Sequence, residues 1–331
     1  MRLEGKEILV TGGCGFIGSH LVDALIKRRN KVTVVDNLTS STTKYIEGYI
    51  AKKVSFFNFI RGDIRDFSLM KRLTKNKDLV FHFAAQPDVR KSLSQVGEDF
   101  EVNVKAGVDL LRAIEENRAS PGRSPNLSNG VKAVIFASSA GTIYGDAPLL
   151  PTPEGFNLQP ISHYGASKAA GEMYLSSFAH LLGIQATTLR YGNIFGPRSN
   201  HGVIYDFFHK LKKDSKSLEI LGDGEQEKSY LYIDDCISAS LLAAENAPLG
   251  FKAYNISSSE MIKVKVIAKI VIEEMKLKGV RLRYTGGKRG WPGDVVKSFA
   301  DTAQIQSLGF KPKVSMEEGV RRYIRWLKSG L

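Results

Sequence analysis

A glycine-rich turn near the start of the chain limits the possible folds more than any other segment. Residues 8–10 form a short apolar run that predicts a buried strand, and apolar residues recur at helical spacing over residues 21–26. Gly12, Gly15 and Gly18 lie between these two elements. A turn from a strand into a helix directs free backbone N–H groups and the positive end of the helix dipole at one point. The sequence therefore predicts a pyrophosphate site here, with glycines where side chains would block the phosphates.

The second predicted strand ends in an acidic residue. Residues 31–35 are mostly apolar and lead directly into Asp36. A carboxylate about 20 residues beyond the glycines suits the hydroxyl groups of an adenosine ribose, so the two features together predict a dinucleotide site. Asp36 would repel a 2′-phosphate, and the next cationic residue is Lys44. We therefore expect NAD rather than NADP.

The composition is typical of a soluble globular protein. The 331 residues are 43% hydrophobic and 24% charged, and no apolar run is long enough to span a bilayer. The first strand begins within a few residues of the N-terminus, which leaves no room for a signal peptide. Cys14 and Cys236 are too few for a disulfide framework or a zinc site. We therefore expect a cytoplasmic enzyme. We also expect no metal, because no metal-ligand spacing joins the histidines to carboxylates or cysteines. We interpret the histidines as structural: His82, His163, His180, His201 and His209. His201 is the one for which contact with a substrate stays open.

The formal net charge of +13 is compatible with several kinds of anionic partner. The cationic residues are spread along predicted helices, and the sequence contains no nucleic-acid motif and no concentrated basic arm. We therefore expect neither a nucleic-acid nor a membrane partner. A small ligand that carries phosphates would benefit from the positive field.

Strands and helices alternate along the first part of the chain. This pattern predicts an α/β fold with a parallel sheet covered by helices on both faces, and ligands beyond the carboxyl ends of the strands. We expect a first domain over residues 1–190 and a smaller lobe over 191–331, from which segments near 229–257 return to the first domain. Residues 118–130 predict a surface loop, and the last helix is predicted to begin at Ser315 with a capping-box spacing. Predicted strands cover residues 8–10, 31–35, 54–60, 78–85, 131–139 and 185–189, and predicted helices include 99–116 and 163–182.

Tyr164 and Lys168 are the residues best placed for chemistry. They are four residues apart at the start of a predicted helix and therefore share one face. A phenol is a poor base at neutral pH, and lowering its pKa by ~3 units takes about 4 kcal/mol. A fixed ammonium together with a cationic nicotinamide could supply this in a partly desolvated site. The alternative is an ordinary amphipathic helix in which an exposed Lys168 bonds to Glu172.

Motifs along the whole chain recur in the order found in one family. They resemble the extended short-chain dehydrogenase/reductase family, in particular its nucleotide-sugar epimerases. In the first half these motifs are Thr11-Gly-Gly-x-Gly-Phe-Ile-Gly18, Asp36-Asn-Leu, Gly62-Asp-Ile-Arg65, His82-Phe-Ala-Ala85, Asn103, Ser138-Ser139 before Tyr144-Gly145, Tyr164-x-x-x-Lys168 and Leu189-Arg-Tyr-Gly-Asn193. In the second half they are Leu221-Gly-Asp-Gly-Glu-Gln226, Tyr232-Ile-Asp-Asp235, Tyr254-Asn-Ile256, Arg289-Gly-Trp-Pro-Gly-Asp294 and Leu308-Gly-Phe-Lys-Pro312.

The resemblance implies a Rossmann-type doubly wound parallel sheet with a smaller C-terminal α/β substrate lobe. It implies NAD as the cofactor and a UDP-sugar as the substrate. The implied reaction is the interconversion of UDP-glucose and UDP-galactose through oxidation at C4 and re-reduction of the 4-keto sugar, with UDP-N-acetylhexosamines as further substrates. The family also implies a homodimer formed through helices such as 99–116 and 163–182.

The same resemblance assigns roles to individual residues. Tyr164 would be the general base and acid, and Lys168 would hold the nicotinamide ribose. The implied cofactor contacts are Gly12, Gly15, Phe16, Ile17 and Gly18 at the pyrophosphate, Asp36, Asn37, Thr39, Ser40 and Ser41 at the adenosine ribose, Asp63 and Ile64 at the adenine, Ala84, Ala85 and Gln86 at the nicotinamide half, Asn103 behind them, and Tyr191. The implied substrate contacts are Ser139, Thr142, Tyr164, Asn193, Val203, Glu219, Ile220, Leu221, Lys228, Arg289 and Asp294.

The sequence departs from the family pattern at four positions. Ala140 stands where the family has a catalytic Ser or Thr, so that Ser139 or Thr142 would have to supply the hydroxyl. Lys228 replaces an arginine and lacks its bidentate fork. The usual Arg-x-Gly-Asp reads Trp291-Pro-Gly-Asp294, with Arg289 two residues earlier. Ser298 replaces a bulky tyrosine beside the sugar 2-substituent, which leaves room for an acetamido group.

Two other functions are compatible with parts of this pattern. A nucleotide-sugar 4,6-dehydratase or decarboxylase would share most motifs, but such enzymes have an acid where this chain reads Ala140-Gly141-Thr142. A dinucleotide-binding regulator without activity would not need the intact pair Tyr164 and Lys168.

Overall fold

The computed structural model describes residues 1–118, 130–290 and 293–330. The predicted loop between Arg118 and Gly130 and the pair Trp291-Pro292 therefore lie outside the described residues. The chain forms two compact units. The first contains Met1–Ser139, Ser162–Arg190 and Ser240–Tyr254, and the second contains Ala140–Ile161, Tyr191–Ala239 and Asn255–Leu331. Residues 140–161 thus group with the second unit, and of the segment predicted to return, residues 240–254 group with the first.

The bounds of the elements, numbered in chain order, are as follows. The strands are β1 Glu7–Thr11, β2 Lys31–Asp36, β3 Phe57–Arg61, β4 Leu79–His82, β5 Ala133–Ser139, β6 Gln185–Tyr191, β7 Asn193–Phe195, β8 Ser217–Ile220, β9 Glu227–Tyr232, β10 Gly250–Ile256, β11 Met261–Lys263, β12 Arg281–Tyr284 and β13 Lys297–Ser298. The α-helices are α1 Phe16–Lys27, α2 Glu47–Ala51, α3 Phe67–Thr74, α4 Val89–Ser92, α5 Val96–Asp99, α6 Ala106–Arg118, α7 Ala140–Ile143, α8 His163–Leu182, α9 Val203–Lys213, α10 Ile233–Asn246, α11 Val264–Glu274, α12 Ala303–Ser307 and α13 Met316–Ser329. A 3₁₀ turn covers Thr43–Tyr45 and a π-helix covers Phe100–Lys105.

A seven-stranded sheet organises the first unit. Its strand order is β10-β6-β5-β4-β1-β2-β3, and the ladders β1·β2, β2·β3, β1·β4 and β4·β5 are parallel. The chain runs outward from β1 to β3 and then returns to the other side of β1 as β4. Ligands of such sheets bind at the point where the strand order reverses, which here lies beyond the ends of β1 and β4. The predicted α/β, Rossmann-type fold class is confirmed.

The core of the first unit lies between this sheet and the helices α3, α6 and α8. Leu9, Val80 and Val134 from the strands pack with Leu110 from α6 and Leu175 from α8, and all five are buried. The second unit has its own small sheets, one with the order β11-β9-β13 and with β7 also paired to β9, the other formed by β8 and β12. In the described parts of the chain, no helix has the length and apolar character that crossing a membrane requires.

Several element bounds differ from the predicted ones for local reasons. The strand predicted from residue 54 begins at Phe57, because the Phe57 N–H closes a turn onto the Val54 carbonyl at 3.0 Å. The strand predicted to reach residue 85 ends at His82, because the Ala84 N–H turns to the Thr11 hydroxyl at 3.2 Å. The helix predicted over 99–116 begins with the π-helix and reaches Arg118.

The helix caps follow from single residues. Ser162 accepts the Gly165 N–H at 3.1 Å before α8, and Gly183 closes that helix with a φ of +60°. Ser315 accepts the Glu318 N–H at 3.3 Å before α13. The reciprocal half of the predicted capping box is replaced, because the Glu318 carboxylate accepts from Arg322 at 2.7 Å.

We expect Gly18→Ala to lower the stability of the protein. A Cβ at this position would lie 2.2 Å from the Gly12 carbonyl oxygen, so that backbone atoms would have to move. Overpacking of this kind costs about 1–3 kcal/mol. The midpoint of thermal unfolding measures the effect.

The matched control is Gly48→Ala in α2, where an added Cβ would have no atom within 4 Å. This change removes a helical glycine and should raise stability by about 0.5–1 kcal/mol. Equal effects of the two substitutions would show that the turn does not require a glycine.

Candidate active site

The glycine turn brings two backbone segments into direct contact at the end of β1. Gly12 has a φ of +70°, and a Cβ on it would lie 2.6 Å from the Ala84 nitrogen. The turn leads into α1, whose first residues are Phe16 and Ile17. The N–H groups of a first helical turn have no acceptor within the helix. These two groups are therefore available to a pyrophosphate, as the sequence predicts.

Asp36 fixes the loop that follows β2. Its carboxylate is 7% exposed and accepts the Cys14 N–H at 3.0 Å, the Leu38 N–H at 2.9 Å and the Ser41 hydroxyl at 2.9 Å. A carboxylate has about four acceptor sites, so one remains for a ribose hydroxyl. Burial, followed by the Asp36 charge, raises the pKa of the Cys14 thiol to about 12. Cys14 is thus a small, buried packing residue of the glycine turn.

The remaining predicted adenosine residues differ in their surroundings. Thr39 and Ser40 are exposed on the loop after β2. Asp63 accepts from Asn37 at 3.0 Å and from two nitrogens of Arg65 at 2.9 and 2.7 Å, and the Arg65 bonds hold the Asp63 pKa well below its usual range. In contrast, the Ile64 side chain is 5% exposed and belongs to the core. Only its backbone can therefore face an adenine.

A hydrogen-bonded connection joins the ends of β1 and β4. Thr11 lies opposite His82 in the ladder, and the Thr11 hydroxyl and His82 Nδ1 are 2.8 Å apart. Burial, followed by the Lys168 charge, lowers the pKa of His82 to about 3, so that this side chain is neutral. The connection holds Ala84 and Ala85 at the end of the sheet, where the sequence places the nicotinamide half.

Tyr164 and Lys168 lie in the first two turns of α8. Lys168 is 3% exposed, and its Nζ lies 5.8 Å from the centre of the Tyr164 ring and 5.0 Å from that of Phe136. The alternative of an exposed lysine bonded to Glu172 is therefore wrong. Glu172 instead accepts from Arg190 on β6, with an oxygen 2.7 Å from Nη2 and both oxygens within 3.2 Å of Nε.

Burial dominates the acid–base properties of this pair. It raises the pKa of Tyr164, and the Asp99 carboxylate raises it further. It also lowers the pKa of Lys168 to about 8, although Asp99 and Glu172 act in the opposite direction. Lys168 does not offset the burial of Tyr164 by itself. The sequence analysis assigns the lowering of the Tyr164 pKa to two cations, Lys168 and the nicotinamide. This lowering thus depends on the nicotinamide.

Asn103 connects this pair to the segment after β4. Its Oδ1 accepts the Gln86 N–H at 2.8 Å, and its Nδ2 donates to the Ser167 hydroxyl at 3.0 Å. Ser167 in turn donates to the Tyr164 carbonyl at 2.8 Å. The implied position of Asn103 behind the site thus corresponds to a set of hydrogen bonds. Our sequence analysis missed Ser167 and Asp99, although both lie at helical spacing from residues that it did select.

The two hydroxyl candidates differ in the burial of their oxygen atoms. Thr142 lies in the short helix α7 of the second unit, and its Oγ1 is buried without a hydrogen-bond partner among the described residues. Ser139 ends β5 in the first unit and is half-buried. Ala140 is buried and offers no hydroxyl. A buried hydroxyl without a partner is rare in proteins and is a feature of sites that bind polar ligands.

The cations predicted to bind a diphosphate are paired with carboxylates in the second unit. Lys228 Nζ lies 2.6 Å from Asp294, which is 4% exposed. The Arg289 guanidinium lies 2.6 Å from Asp146 and also donates to the Asp294 carbonyl. Asn193 donates to the Ser229 carbonyl at 3.0 Å. A bound diphosphate would have to compete with these internal acceptors.

The residues predicted near a uridine lie on two elements of the second unit. Val203 begins α9, and Glu219 in β8 accepts from Lys210 at 3.2 Å. The Ile220 side chain is fully buried, so only its backbone can contact a ligand. Leu221 is 37% exposed. Tyr191, predicted as a cofactor contact, is 5% exposed at the end of β6.

Residues 8–257 match the model of the NAD dependent epimerase/dehydratase family. The chain belongs to this family.

Curated relatives match over almost the whole chain. It is 33% identical to a protein of Methanocaldococcus jannaschii described as a putative UDP-glucose 4-epimerase, over 97% of this chain and 98% of that one. It is 29% identical to the UDP-glucuronate 4-epimerase of Thermodesulfobacterium geofontis, over 98% of this chain and 96% of that one. The predicted resemblance to the nucleotide-sugar epimerases is confirmed.

Solved structures agree with these relatives. The UDP-glucose 4-epimerase of Thermotoga maritima, crystallised with UDP-glucose, is 34% identical and superposes with a TM-score of 0.85 over 98% of this chain and 99% of that one. The UDP-N-acetylglucosamine 4-epimerase of Methanobrevibacter ruminantium, in complex with UDP-N-acetylmuramic acid, is 31% identical. It superposes with a TM-score of 0.86 over 99% of this chain and 100% of that one.

The cofactor of this epimerase/dehydratase family member is NAD, and the first unit fits it. Gly12 lets the turn pack directly against the backbone at Ala84, and Asp36 retains an acceptor for a ribose hydroxyl. Phe16 and Ile17 would present N–H groups to the pyrophosphate, and Ala84 to Gln86 would line the nicotinamide half.

Proposed function

We propose that the protein is a nucleotide-sugar 4-epimerase that interconverts UDP-glucose and UDP-galactose through a 4-keto sugar. The observation that carries this proposal is the buried pair of Tyr164 and Lys168 on one face of α8 in a chain of the NAD dependent epimerase/dehydratase family. Relatives named as UDP-glucose 4-epimerases match from end to end and support the choice of substrate.

Tyr164 acts as the proton carrier of the reaction. When bound, NAD supplies the oxidant that takes a hydride from C4 of the sugar and returns it. The Tyr164 phenolate takes the proton of the 4-hydroxyl as that carbon is oxidised, and the phenol gives the proton back when the ketone is reduced. Lys168 stabilises the phenolate by its charge, because its Nζ lies within 6 Å of the Tyr164 ring centre.

Thr142 is the better candidate for the hydroxyl that Ala140 lacks. Both residues are half-buried, but the Thr142 Oγ1 atom itself is buried and has no partner among the residues that the structure describes, which favours Thr142 over Ser139. A hydroxyl that lacks an internal partner can bond to a sugar oxygen without breaking an existing hydrogen bond.

The diphosphate of the substrate would bind the cations of the second unit. Its oxygens would replace Asp294 at Lys228 and Asp146 at Arg289, and charge-assisted bonds to phosphate are among the strong ones. Asn193 would add a neutral donor. Lys228 provides a point charge where an arginine would provide a fork, so this contact is less directional.

A panel of NAD-loaded reactions tests the assignment. Purified protein is incubated with UDP-glucose, UDP-galactose, UDP-glucuronate and the two UDP-N-acetylhexosamines, and the products are separated by chromatography. We expect galacto and gluco epimers to interconvert. Conversion of UDP-glucuronate alone would favour the second candidate that relatives suggest, a UDP-glucuronate 4-epimerase. A 4-keto-6-deoxy product would identify a dehydratase.

We expect Tyr164→Phe to abolish turnover while NAD binding and stability are kept. The change removes only the phenolic oxygen, and general base catalysis contributes roughly 10²–10⁴-fold. Single-turnover epimerisation measures the rate, and protein fluorescence titration measures NAD affinity. A variant that keeps more than about a tenth of the rate would identify a different base.

Two further variants examine the hydroxyl that would replace the one missing at Ala140. Thr142→Val keeps the shape of the side chain and should slow the reaction at least about tenfold. Ser139→Ala is the matched control and should change the rate less. If neither variant is slower, Tyr164 acts without a second hydroxyl.

We expect UDP-N-acetylglucosamine to be a substrate as well, because Ser298 is small. Ser298 lines a small cavity of the second unit together with Ala140, Tyr144, Leu150 and Thr152. A pocket rejects a larger substituent mainly by steric clash, and a serine offers little. Ser298→Tyr should therefore lower the activity on the acetamido sugar more than that on UDP-galactose.

Ser298→Ala is the control for this comparison and should leave the ratio of the two activities unchanged. Ser298 is 8% exposed, so the unfolding midpoint of the tyrosine variant has to be measured beside its activity. Wild-type protein that converts UDP-galactose but not the acetamido sugar would contradict the inference from Ser298 and leave the epimerase proposal intact.

We infer a homodimer as the functional state. Large apolar side chains are exposed on α8 and at the start of the π-helix, among them Leu181 at 71%, Phe100 at 55% and Met173 at 52%. Exposed apolar groups of this size favour contact with a partner surface. Light scattering gives the mass in solution: a dimer is expected, and substitution of Met173 and Leu181 by Lys should yield a monomer. A monomeric wild-type protein would refute the inference.

A further inference from the structure

Asp99 is a buried carboxylate that the proposed reaction does not use. It ends α5 immediately before the π-helix and is 1% exposed. One carboxylate oxygen, Oδ1, accepts from Gln86 Nε2 at 2.9 Å and from Asn103 Nδ2 at 3.4 Å. The other, Oδ2, is buried and has no hydrogen-bond partner within the described residues.

The other buried acids of the first unit are all compensated. Glu172 is paired with Arg190, Asp109 is paired with Lys105 and Arg112, and Asp36 accepts three hydrogen bonds. Such compensation is the rule, because an ionised group out of water is costly without a partner. Among the residues that the structure describes, Asp99 has no ion pair, and one of its oxygens has no hydrogen bond. An exception of this kind suggests a functional role rather than a stabilising one.

The hydrogen bonds of Asp99 lead to the catalytic tyrosine. Gln86 and Asn103 bond to Asp99 and to each other, since the Gln86 N–H donates to Asn103 Oδ1 at 2.8 Å. Asn103 then bonds to Ser167, and Ser167 to the Tyr164 carbonyl. The carboxylate is thus fixed in position relative to the first turn of α8.

The charges around Asp99 come from four elements. Burial raises the pKa of Asp99, while the charges of His163 and Lys168 lower it and that of Glu98 raises it. In return, the charge of Asp99 raises the pKa of both Tyr164 and Lys168. The titratable and charged groups of the packed elements are Arg90 and Lys91 in α4, Glu98 in α5, Glu101 and Lys105 in the π-helix, and His163, Tyr164, Lys168 and Glu172 in α8. Lys91 is paired with Glu98 at 3.3 Å.

We propose that Asp99 is a positioning residue whose negative charge sets the pH range in which Tyr164 and Lys168 work. The proposal rests on the proposed function only in the use of Tyr164 as the base. Lys168 and a bound nicotinamide are both cationic, and together they favour the phenolate. A phenolate stabilised too strongly is a poor base, since proton transfer is most effective when the pKa of the base lies near the working pH. Asp99 offsets part of that stabilisation.

The sign of the effect follows for each limb of the pH–rate profile. Activity rises as Tyr164 ionises and falls as Lys168 loses its proton. An ionised Asp99 makes Tyr164 harder to ionise and Lys168 harder to deprotonate. It therefore moves both limbs to higher pH. Removing the charge therefore moves the whole profile to lower pH without changing its width greatly.

Asp99→Asn in the NAD-loaded protein tests the proposal. The asparagine keeps the shape of the side chain and the Oδ1 acceptor for Gln86, and it removes the charge. We expect both limbs of kcat/KM for UDP-galactose to move down by at least roughly one pH unit, which is the effect of a unit charge ~12 Å away at an effective dielectric constant of ~20. NAD affinity should change little.

Asp109→Asn is the matched control. Asp109 is also a buried acid of the first unit, but it lies on α6 and is paired with two cations. Its substitution should leave the limbs in place. A lower rate with unchanged limbs in Asp99→Asn would indicate a purely structural role and overturn the proposal, as would equal shifts in both variants.

A measurement on wild-type protein covers the case in which Asp99→Asn does not fold. The carbon-13 resonance of the Asp99 carboxyl group in the NAD-loaded protein reports its ionisation directly. We expect it to be ionised throughout the active pH range, and a carboxyl that stays protonated there would overturn the proposal. This experiment needs no substrate. If the protein converts no nucleotide sugar, the proposed function fails while the ionisation of Asp99 is still decided.

Discussion

The contact between the glycine turn and the segment after β4 fixes the geometry of the first unit. A Cβ on Gly12 would lie 2.6 Å from the Ala84 nitrogen and one on Gly18 would lie 2.2 Å from the Gly12 oxygen, so neither position tolerates a side chain without backbone movement. The Thr11 hydroxyl links the same two segments through His82 and Ala84. Because the strand order reverses between β1 and β4, this contact also determines where a cofactor can lie. The features that close the sheet are thus the features that shape the site.

A buried ion pair anchors the helix that carries Tyr164. Glu172 is fully buried in α8, and Arg190 at 4% exposure lies near the end of β6. Removing one member of such a pair costs about 3–5 kcal/mol, because the other charge is left uncompensated. The pair joins α8 to the sheet two turns after Tyr164. The link therefore fixes the face of α8 that carries Tyr164 and Lys168, and the Glu172 charge also raises the pKa of Lys168.

The sequence was sufficient for α8, because the causes of its bounds are local. The predicted helix over residues 163–182 agrees with α8 because Ser162 and Gly183 are themselves the signals for its start and end. Glu172 shows the opposite case. Spacing alone suggested a bond to Lys168, but the true partner is Arg190, which is 18 residues away in sequence and becomes a neighbour only when β6 joins the sheet. Ile220 was selected by resemblance, and only the fold reveals that its side chain points into the core. Features that depend on pairing between distant segments are the ones that sequence reasoning missed.

In the proposed reaction, the base strength of Tyr164 depends on whether the buried charges near it are paired. An epimerisation has no net change of protons, so its base must return the proton that it accepts. A base that must both accept the proton and return it needs a pKa near the working pH. Each pKa unit of deviation costs about 1.4 kcal/mol in one of these two proton transfers. Burial raises the pKa of Tyr164, whereas Lys168 and the nicotinamide lower it. Of the nearby acids, Glu172 is paired with Arg190 and acts on Lys168 rather than on Tyr164, while Asp99, which has no ion pair among the described residues, raises the pKa of both. The base strength of Tyr164 is therefore set by which buried acids near it are paired and which are not.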